Sequence, residues 1–296
     1  MSSSRIAVVT GANQGLGRGL VEVLAARMNP DDLVLLTGRD PQRVAAAARE
    51  VAALESTRSR VEGRVLDVTD TGAISALATE LKERHGGVDV MLSNAFYRLV
   101  PDRPQHEQAD EFISVSNIAT HAVLRSFGPV MRRGGRLIVV ASALGTLGHL
   151  NPQLRPLFDE VTLEDVERAV DRWRSAAREG TAREHGWPTW LNAPSKVAQV
   201  AAVRAVAAER RSSDLANGIL VAAVCPGMVD TGYLPHWYAD RRQAQSPTEA
   251  AGPIADLILT DTVNPAHYGE LIQFGKVLPW PSGTPDSYEQ EHMVTA

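Results

Sequence analysis

Residues 10–17 read Thr-Gly-Ala-Asn-Gln-Gly-Leu-Gly, and these residue types at this spacing are typical of a loop that binds phosphate. An apolar run precedes this glycine loop and an apolar stripe at helical spacing follows it, so the order is strand, turn, helix. Gly11, Gly15 and Gly17 would allow the backbone to turn sharply and approach a pyrophosphate closely. The free N–H groups and the positive dipole end of the helix would then face the anion.

A tight turn between strand and helix can also need glycine for steric reasons alone. The elements that follow the glycine loop favour the phosphate-binding interpretation, because short apolar runs alternate with longer amphipathic stretches. The predicted strands are 6–9, 33–36, 61–66, 88–92, 137–140, 219–224 and 270–274. The predicted helices are 15–28, 41–53, 73–85, 109–131 and 196–210. Continuous apolarity predicts strands buried on both faces, and hence an α/β fold with a doubly wound, Rossmann-type parallel sheet flanked by helices.

Length and composition limit the class of protein. A chain of 296 residues with 44% hydrophobic content can bury a large core, and we expect one domain over 1–296. The formal net charge of −5 offers no electrostatic surface for nucleic acid. No stretch predicts a signal peptide or a membrane span, so we expect a soluble, cytoplasmic protein. The single cysteine, Cys225, ends an apolar run and predicts a buried, inert thiol with neither a disulfide nor a metal partner.

Residues 150–186 interrupt the alternation of strands and helices, and they precede the helix at 196–210. Thr162 and Asp165 have the spacing of a capping box, and Val166, Val170 and Trp173 lie on one face at helical spacing. This insertion could be a flap over a substrate pocket or an element that covers an apolar helix face otherwise used for association. We favour the covering role, because the apolar stripe is too narrow for an independent domain.

Four further segments, each at the end of a predicted strand, resemble motifs of the short-chain dehydrogenase/reductase superfamily. They are 66–68 (Leu-Asp-Val), 93–95 (Ser-Asn-Ala), 140–142 (Val-Ala-Ser) and 225–231 (Cys-Pro-Gly-Met-Val-Asp-Thr). The turn at 36–40, the insertion, and the segments 186–188 and 246–249 resemble the monomeric carbonyl reductase branch. The resemblance covers about 5–280 and implies a monomer with a substrate-loop region over 231–296.

By this resemblance, the cofactor would be held by residues at the ends of the strands. The pyrophosphate and ribose positions correspond to Gly11, Asn13, Gln14, Gly15, Leu16 and Gly17. The adenine positions are Asp67 and Val68, the nicotinamide ribose positions Asn94 and Lys196, and the nicotinamide positions Pro226, Gly227, Met228, Val229 and Thr231.

The end of the second strand indicates which coenzyme is preferred. Gly38 stands where an acidic residue would bind the ribose hydroxyls, and Arg39 follows with a planar cation suited to a 2′-phosphate. This favours NADP(H) over NAD(H). Gln14 replaces the second basic residue of the family and removes one possible phosphate contact.

The chain departs from the family at the proton donor. The family places a tyrosine four residues before a lysine on one helix, whereas Asn192 precedes Lys196 here. An asparagine amide can hydrogen-bond a carbonyl oxygen but cannot deliver a proton, and general acid catalysis is worth roughly 10² to 10⁴ in rate. By resemblance Ser142 would still bind the substrate oxygen, and Asn117 would support a water near Lys196.

Three functions follow from this pattern. The first is an NADP(H)-dependent reductase of a carbonyl on a fairly large apolar or aromatic small molecule, because the segment 232–238 is rich in aromatic side chains. Its proton would come from a substitute acid, with Tyr97 preferred, or from water relayed through Ser142 and Lys196. The other candidate acids are His149, Tyr233, His236 and Tyr238. The second function is a non-redox enzyme, and the third is an NADP(H)-binding protein without catalysis. Phe96, where the family has glycine, should reshape the floor of the nicotinamide pocket.

Overall fold

A computed structural model describes residues 4–232 and 244–283. All strands of these residues form one eight-stranded sheet in the order β3-β2-β1-β4-β5-β6-β7-β8. The strands are β1 (Ile6–Val9), β2 (Leu33–Gly38), β3 (Arg60–Val65), β4 (Val88–Ser93), β5 (Met131–Val140), β6 (Leu220–Cys225), β7 (Leu271–Gln273) and β8 (Lys276–Leu278). Each neighbouring pair is parallel except β7 and β8, so the α/β doubly wound fold predicted from the sequence is confirmed.

Eight α-helices connect and flank these strands in the described residues. They are α1 (Gly15–Arg27), α2 (Pro41–Ala52), α3 (Thr71–His85), α4 (Gln105–Ile113), α5 (Ala119–Phe127), α6 (Leu163–Arg178), α7 (Asn192–Ala216) and α8 (Pro247–Leu259). Pro41 begins α2, where its missing N–H costs no helical hydrogen bond. None of the helices in the described ranges is long and apolar enough to cross a membrane.

The register brings the carboxyl ends of the central strands to one edge of the sheet. Val9 of β1 pairs with Leu36 of β2 and with Leu92 of β4, and Val140 of β5 pairs with Val224 of β6. Loops that leave this edge therefore meet, as expected for a doubly wound sheet. The candidate site lies along this edge.

Two features of the sheet differ from the sequence prediction. The third strand, predicted at 61–66, is not buried on both faces, because β3 is an edge strand whose residues are exposed or half-buried. In the sheet β3 has a single neighbouring strand, β2, and the apolar residues at 61–66 do not reveal this edge position. The sequence prediction also missed β8, which pairs antiparallel with β7 through a turn at Phe274 and Gly275. Both turn residues have positive φ, as in the tight turns that favour hairpins.

The helix predicted over 109–131 is also different in the structure. It begins earlier, at Gln105, and a five-residue π-helical segment, Ser114–Ile118, separates α4 from α5. The chain leaves the helix before Met131, where β5 starts. π-Helical segments inside helices often occur at functional sites, and this one contains Asn117.

The insertion forms a helix as predicted. In α6 the side chain of Thr162 accepts from Asp165 N and the carboxylate of Asp165 accepts from Thr162 N, which completes the capping box. Val166, Val170 and Trp173 are fully buried. Helix α6 packs against α4 and α7, and Arg174 on it donates to Asp110 on α4 at 2.8 Å. Helix α6 therefore covers faces of α4 and α7, and whether these faces would otherwise serve association stays a prediction.

A buried histidine beside the insertion gives a prediction for stability. Burial lowers the pKa of His121 on α5 to about 4, and its Nε2 has no hydrogen-bond partner among the described residues. The unfolded chain therefore binds more protons than the folded chain between about pH 4 and pH 6.5, and stability falls as pH decreases through this window. We expect acidification from about pH 7 to about pH 4.5 to lower the free energy of unfolding through His121 alone by about 2 to 3 kcal/mol.

Urea unfolding of the protein and of His121→Gln at both pH values measures this difference. The variant should lose less stability on acidification by that amount. Equal losses in the two proteins would mean that His121 is not neutral and buried in the folded state.

Candidate active site and cofactor cleft

The glycine loop lies directly against the turn after β4. Gly11 has φ +62°, and a Cβ there would lie 2.8 Å from the Cα of Ala95. A Cβ on Gly17 would lie 2.4 Å from the carbonyl oxygen of Gly11. Side chains at these two positions would push the loop away from the turn, so glycine is a packing requirement of the cleft.

Hydrogen bonds from the turn after β4 hold the two loops together. The amides of Asn94 and Ala95 donate to Thr10 Oγ1 at 2.9 and 3.0 Å, and Asn94 Nδ2 donates to the Thr10 carbonyl at 2.9 Å. The side chain of Asn94 therefore orders the loop in this structure. Its direct contact with a nicotinamide ribose stays a prediction.

The start of α1 has the features of an anion-binding end. Gln14, which precedes α1, makes no side-chain cap, and no acidic residue lies in the first turn. The first N–H groups and the positive helix end therefore face the cleft without a carboxylate of their own helix turn. Gly15 and Leu16 begin this helix, as the sequence analysis required. The residues present fit a pyrophosphate.

A guanidinium that the sequence analysis missed lies beside the glycine loop. Arg43, in the first turn of α2, donates to Gln14 Oε1. Arg39 is exposed just after β2, and a Cβ on Gly38 would lie 2.8 Å from Asn13 Oδ1, so Asn13 lies over the end of that strand. Arg43 therefore supplies a cation beside Gln14, where the sequence alone predicted a lost contact. In the sequence, Arg43 could have been recognised as a candidate because it lies in the first turn of the helix that follows Arg39.

The remaining predicted adenine residues lie at the end of β3. Asp67 Oδ1 accepts from Thr69 N at 2.9 Å and from Thr69 Oγ1 at 2.8 Å, and Val68 is buried. The carboxylate of Asp67 shapes its own turn. Contact of Asp67 and Val68 with adenine stays a prediction.

Lys196 is the buried centre of the other half of the site. Its ammonium donates to Gln199 Oε1 at 2.9 Å, lies 3.5 Å from the carbonyl oxygen of Val140, and lies 4.6 Å from the centroid of the Phe96 ring. Residues from the ends of β4 and β5 thus meet α7 at one point. Burial lowers the pKa of Lys196 to about 8. A lysine ammonium with this pKa is a stronger acid than an exposed one.

Gln199 links Lys196 to the π-helical segment, and the sequence analysis did not single it out. Its Nε2 donates to the carbonyl oxygen of Ser116 at 2.7 Å and to Thr120 Oγ1 at 3.3 Å. Gln199 is buried, and so are Ser116 and Thr120. An amide side chain thus spans the space between the ammonium and the π-helical carbonyl. An amide does not relay protons as a water does, so Gln199 itself provides no proton path between Lys196 and the Ser116 carbonyl.

The side chain of Asn117 is paired with Ser195, at the start of α7. Its Nδ2 donates to the Ser195 carbonyl at 3.0 Å, and its Oδ1 accepts from Ser195 Oγ at 2.8 Å. The side chain of Asn117 therefore joins the π-helical segment to α7. Its predicted support of a water near Lys196 stays a prediction, and Gln199 is the side chain that contacts the lysine.

Ser142 follows β5 and Asn192 begins α7, and both elements contribute contacts or residues at Lys196. Ser142 follows β5, is half-buried, and accepts from Leu144 N at 3.3 Å. Asn192 is the first residue of α7, one turn before Lys196. Its Oδ1 is buried and has no hydrogen-bond partner among the described residues. An unsatisfied buried acceptor is costly, so this atom suits a ligand that donates a hydrogen bond.

Tyr97, the preferred substitute acid of the sequence analysis, is hydrogen-bonded to a carboxylate in this structure. The hydroxyl of Tyr97 donates to Glu111 at 3.2 Å, and its ring packs edge-on against Phe112. Burial, and next the Glu111 charge, raise the pKa of Tyr97, which makes it a weaker acid. His149 Nδ1 contacts Thr146 Oγ1 at 2.9 Å, and burial lowers its pKa. The other candidates, Tyr233, His236 and Tyr238, lie outside the described residues, as do the other residues of 233–238.

The segment after β6 completes the cleft. Gly227 has φ +77°. Met228 and Val229 follow it, the amide of Asp230 donates to the Gln245 carbonyl at 2.8 Å, and the amide of Gln245 donates to the Met228 carbonyl at 2.9 Å. Thr231 comes close to the glycine loop, because a Cβ on Gly15 would lie 3.3 Å from its Cγ2. Pro226 follows Cys225, whose thiol is buried as predicted, and burial raises the pKa of that thiol.

The parallel sheet and the glycine loop at its edge place this protein in the class of nucleotide-binding oxidoreductases. Residues 5–152, half of the chain, match the short chain dehydrogenase family. The chain belongs to the short chain dehydrogenase family.

Relatives and solved structures of similar length agree with this family. The chain is 29% identical over 287 residues to carbonyl reductase [NADPH] 1 of Rattus norvegicus, covering 95% of this chain and 100% of that protein. Salutaridine reductase from Papaver somniferum has a TM-score of 0.73 at 22% identity, over 90% of this chain and 99% of that one. NADPH-bound carbonyl reductase from chicken fatty liver has a TM-score of 0.65 at 23% identity, over 94% and 100%. The two structures share the fold.

The contact between Lys196 and Gln199 gives a prediction for the acidity of the site. Replacing Gln199 with Glu places a carboxylate beside the ammonium and should raise the pKa of Lys196, whereas Gln199→Leu removes an acceptor and should lower it. We expect a separation of at least about one pH unit between the two variants. The rate at which an acylating reagent modifies Lys196, followed by mass spectrometry from about pH 6 to about pH 10, reports this pKa. Two coincident profiles would contradict the contact.

Proposed function

We propose that this chain is an NADPH-dependent reductase of carbonyl compounds with an atypical proton donor. The observation that carries this proposal is the meeting of the glycine loop, the end of β5 and Lys196 at one edge of the sheet, together with a relative of similar length named carbonyl reductase [NADPH] 1. Bound NADPH would supply the hydride. The chain itself must hold the coenzyme, polarise the carbonyl and supply a proton.

The preference for NADPH is supported by the charges at the adenine side. Arg39 follows Gly38, so no carboxylate stands at the position that would bind a free 2′-hydroxyl. Arg43 lies beside Gln14 on the adjoining helix turn. Two guanidinium groups can bind a 2′-phosphate through charge-assisted hydrogen bonds, which NADH could not form. The predicted roles of Asp67, Val68 and the residues from Pro226 to Thr231 complete this proposal.

The carbonyl oxygen would be bound by Ser142 and Asn192. The hydroxyl and the amide N–H₂ can each donate a hydrogen bond to it. The buried Oδ1 of Asn192, which has no hydrogen-bond partner among residues 4–232 and 244–283, would then accept from a hydroxyl of the coenzyme or the substrate, and this would remove the cost of an unsatisfied acceptor. Neither group can give up a net proton at neutral pH.

Lys196 is the proton source that the geometry supports best. Its pKa of about 8 would allow the ammonium to lose a proton near neutral pH, relayed through water and the Ser142 hydroxyl. Gln199 lies between the ammonium and the Ser116 carbonyl, so reprotonation would also occur from the cleft. Tyr97 is less suited, because its hydroxyl contacts Glu111 and its pKa is raised.

The substrate class proposed is a fairly large apolar or aromatic small molecule. Phe96 is 40% exposed between Lys196 and Phe112, which provides an apolar wall at the reacting end of the cleft. The aromatic residues within 233–238 are a sequence argument for the same class.

A second function, NADPH binding without catalysis, is favoured by one observation. Gln199 occupies the space between Lys196 and the Ser116 carbonyl, and Asn192 cannot act as an acid, so two usual routes of proton supply are closed. The coenzyme cleft would remain intact in such a protein.

Turnover of NADPH separates the two functions. Calorimetry should detect NADPH binding, and a panel of aromatic and aliphatic ketones should show slow loss of nicotinamide absorbance. If Lys196 is the acid, the rate is highest below its pKa and falls as pH rises through about 8. Lys196→Met should abolish turnover, and Tyr97→Phe should leave it unchanged. Collapse of turnover in Tyr97→Phe would assign the donor to Tyr97 instead.

Asn192→Tyr is the matched gain-of-function variant. A phenol one turn before Lys196 should raise the rate by roughly 10² or more, as general acids do. NADPH binding with no turnover, and no gain in Asn192→Tyr, would favour the binding function. Product formation at constant nicotinamide absorbance would indicate a non-redox reaction.

We also propose that the protein is a monomer of one domain, 1–296, because α6 covers faces of α4 and α7. Sedimentation at micromolar concentration should give the mass of one chain. A stable tetramer would contradict the covering role of α6.

A further inference from the structure

Phe274 occupies a turn position where a bulky side chain is rare. Gln273 of β7 pairs with Lys276 of β8, so Phe274 and Gly275 alone join the two strands. Both turn residues have positive φ, +49° and +76°, and tight hairpin turns of this kind favour asparagine, aspartate or glycine. A phenylalanine in the left-handed region is strained, and such strain persists where the surrounding structure requires the residue.

The ring of Phe274 packs on the backbone of the segment after β6 rather than in the core. Phe274 is 52% exposed, so burial of apolar surface offsets little of the strain. The outer end of the ring lies against Gly227, because a Cβ on Gly227 would be 2.8 Å from the ring atom Cζ. Gly227 has φ +77° and no side chain, which leaves room for the ring at this point.

A second side chain of the same hairpin contacts this segment. Gln273, the last residue of β7, donates from Nε2 to the Sγ atom of Cys225 at 3.2 Å. The backbone of Gly227 interacts with the same sulfur atom. Two adjacent residues of the hairpin, Gln273 and Phe274, therefore contact the segment at two adjacent points, one polar and one apolar.

The position of this segment sets one wall of the cofactor cleft. Its residue Thr231 lies beside the glycine loop, because a Cβ on Gly15 would be 3.3 Å from Thr231 Cγ2. The range 226–231 also contains all the residues that the sequence analysis assigned to the nicotinamide. A displacement of Gly227 would therefore move this wall relative to the glycine loop.

We propose that Phe274 is a positioning residue for the nicotinamide end of the coenzyme, because its ring fixes the backbone at Gly227 and with it the wall formed by 226–231. This inference rests on the proposed binding of NADPH. Phe274 acts through Gly227 and not by direct contact with the coenzyme. A wall that is fixed before binding reduces the ordering that binding requires.

The variant Phe274→Asn separates positioning from folding. Asparagine adopts positive φ more readily than phenylalanine, so the midpoint of urea unfolding should stay the same or increase. The ring is lost, and we expect calorimetry to show NADPH affinity lowered by about threefold to tenfold. The second ligand is 2′-phospho-ADP-ribose, which is NADPH without its nicotinamide ring. Its affinity for the variant should stay within about twofold of that for the unmodified protein.

Two further variants serve as controls. Phe274→Tyr retains the ring and should bind NADPH as the unmodified protein does. Val277→Thr removes an apolar group elsewhere on the same hairpin, where Val277 is exposed and pairs with Ile272. Its NADPH affinity should be unchanged.

The two ligands distinguish failure of this inference from failure of the proposed function. Weaker binding of NADPH, with 2′-phospho-ADP-ribose unaffected, supports the positioning role of Phe274. A Phe274→Asn variant that binds NADPH within about twofold of the unmodified protein overturns the inference alone. Equal weakening of both ligands would indicate a general structural role and would also overturn it. An unmodified protein that binds neither ligand overturns the proposed function, and this inference with it.

Discussion

The close approach of the glycine loop to the turn after β4 is the constraint on which the rest of the site depends. The backbone of Gly11 packs directly against the backbone of Ala95, and the hydroxyl oxygen of Thr10 accepts hydrogen bonds from two backbone amides of that turn. Both loops leave the same edge of the sheet because β1 and β4 are parallel neighbours. The start of α1 and the segment that leads to Phe96 are therefore fixed relative to each other before any ligand is present. This pre-formed arrangement reduces the ordering cost of binding.

The buried ammonium of Lys196 is the second determinant of the site. Removing a charge from water is unfavourable, and the fold offsets this cost through Gln199, the Val140 carbonyl and the face of the Phe96 ring. The carbonyl that Gln199 contacts belongs to Ser116 in the π-helical segment, where the regular helical pattern is interrupted. The irregular turn and the lysine thus belong to one polar network in an otherwise apolar interior.

Much of the fold follows from local patterns that the sequence displays directly. The glycine loop, the apolar runs and the Thr162 capping box each act over a few residues, and the structure has the corresponding elements. The exposure of β3 depends on what packs beside it, and the start of β8 depends on a turn at Phe274. Neither effect can be deduced from the hydrophobicity of the strand itself.

The site shows the same division between local and tertiary information. Arg39 follows directly from its place after β2, whereas Arg43 becomes relevant because its side chain reaches Gln14. Gln199 lies three residues after Lys196, yet its contact with Ser116 spans 83 positions of the chain. Position on a helix does not reveal such a partner. Side-chain pairing between distant elements is therefore the part of the site that required the structure.

The two outer strands have a consequence for assembly in crowded solution. An exposed strand with free backbone groups can recruit another chain, and long, flat, uncharged edges are the most hazardous. In β3 the charged side chains of Arg60, Glu62 and Arg64 alternate along the edge, and Arg60 pairs with Glu62. At the other end β8 has three residues and begins with exposed Lys276. Each margin of the sheet thus disfavours fibril-like growth by strand addition.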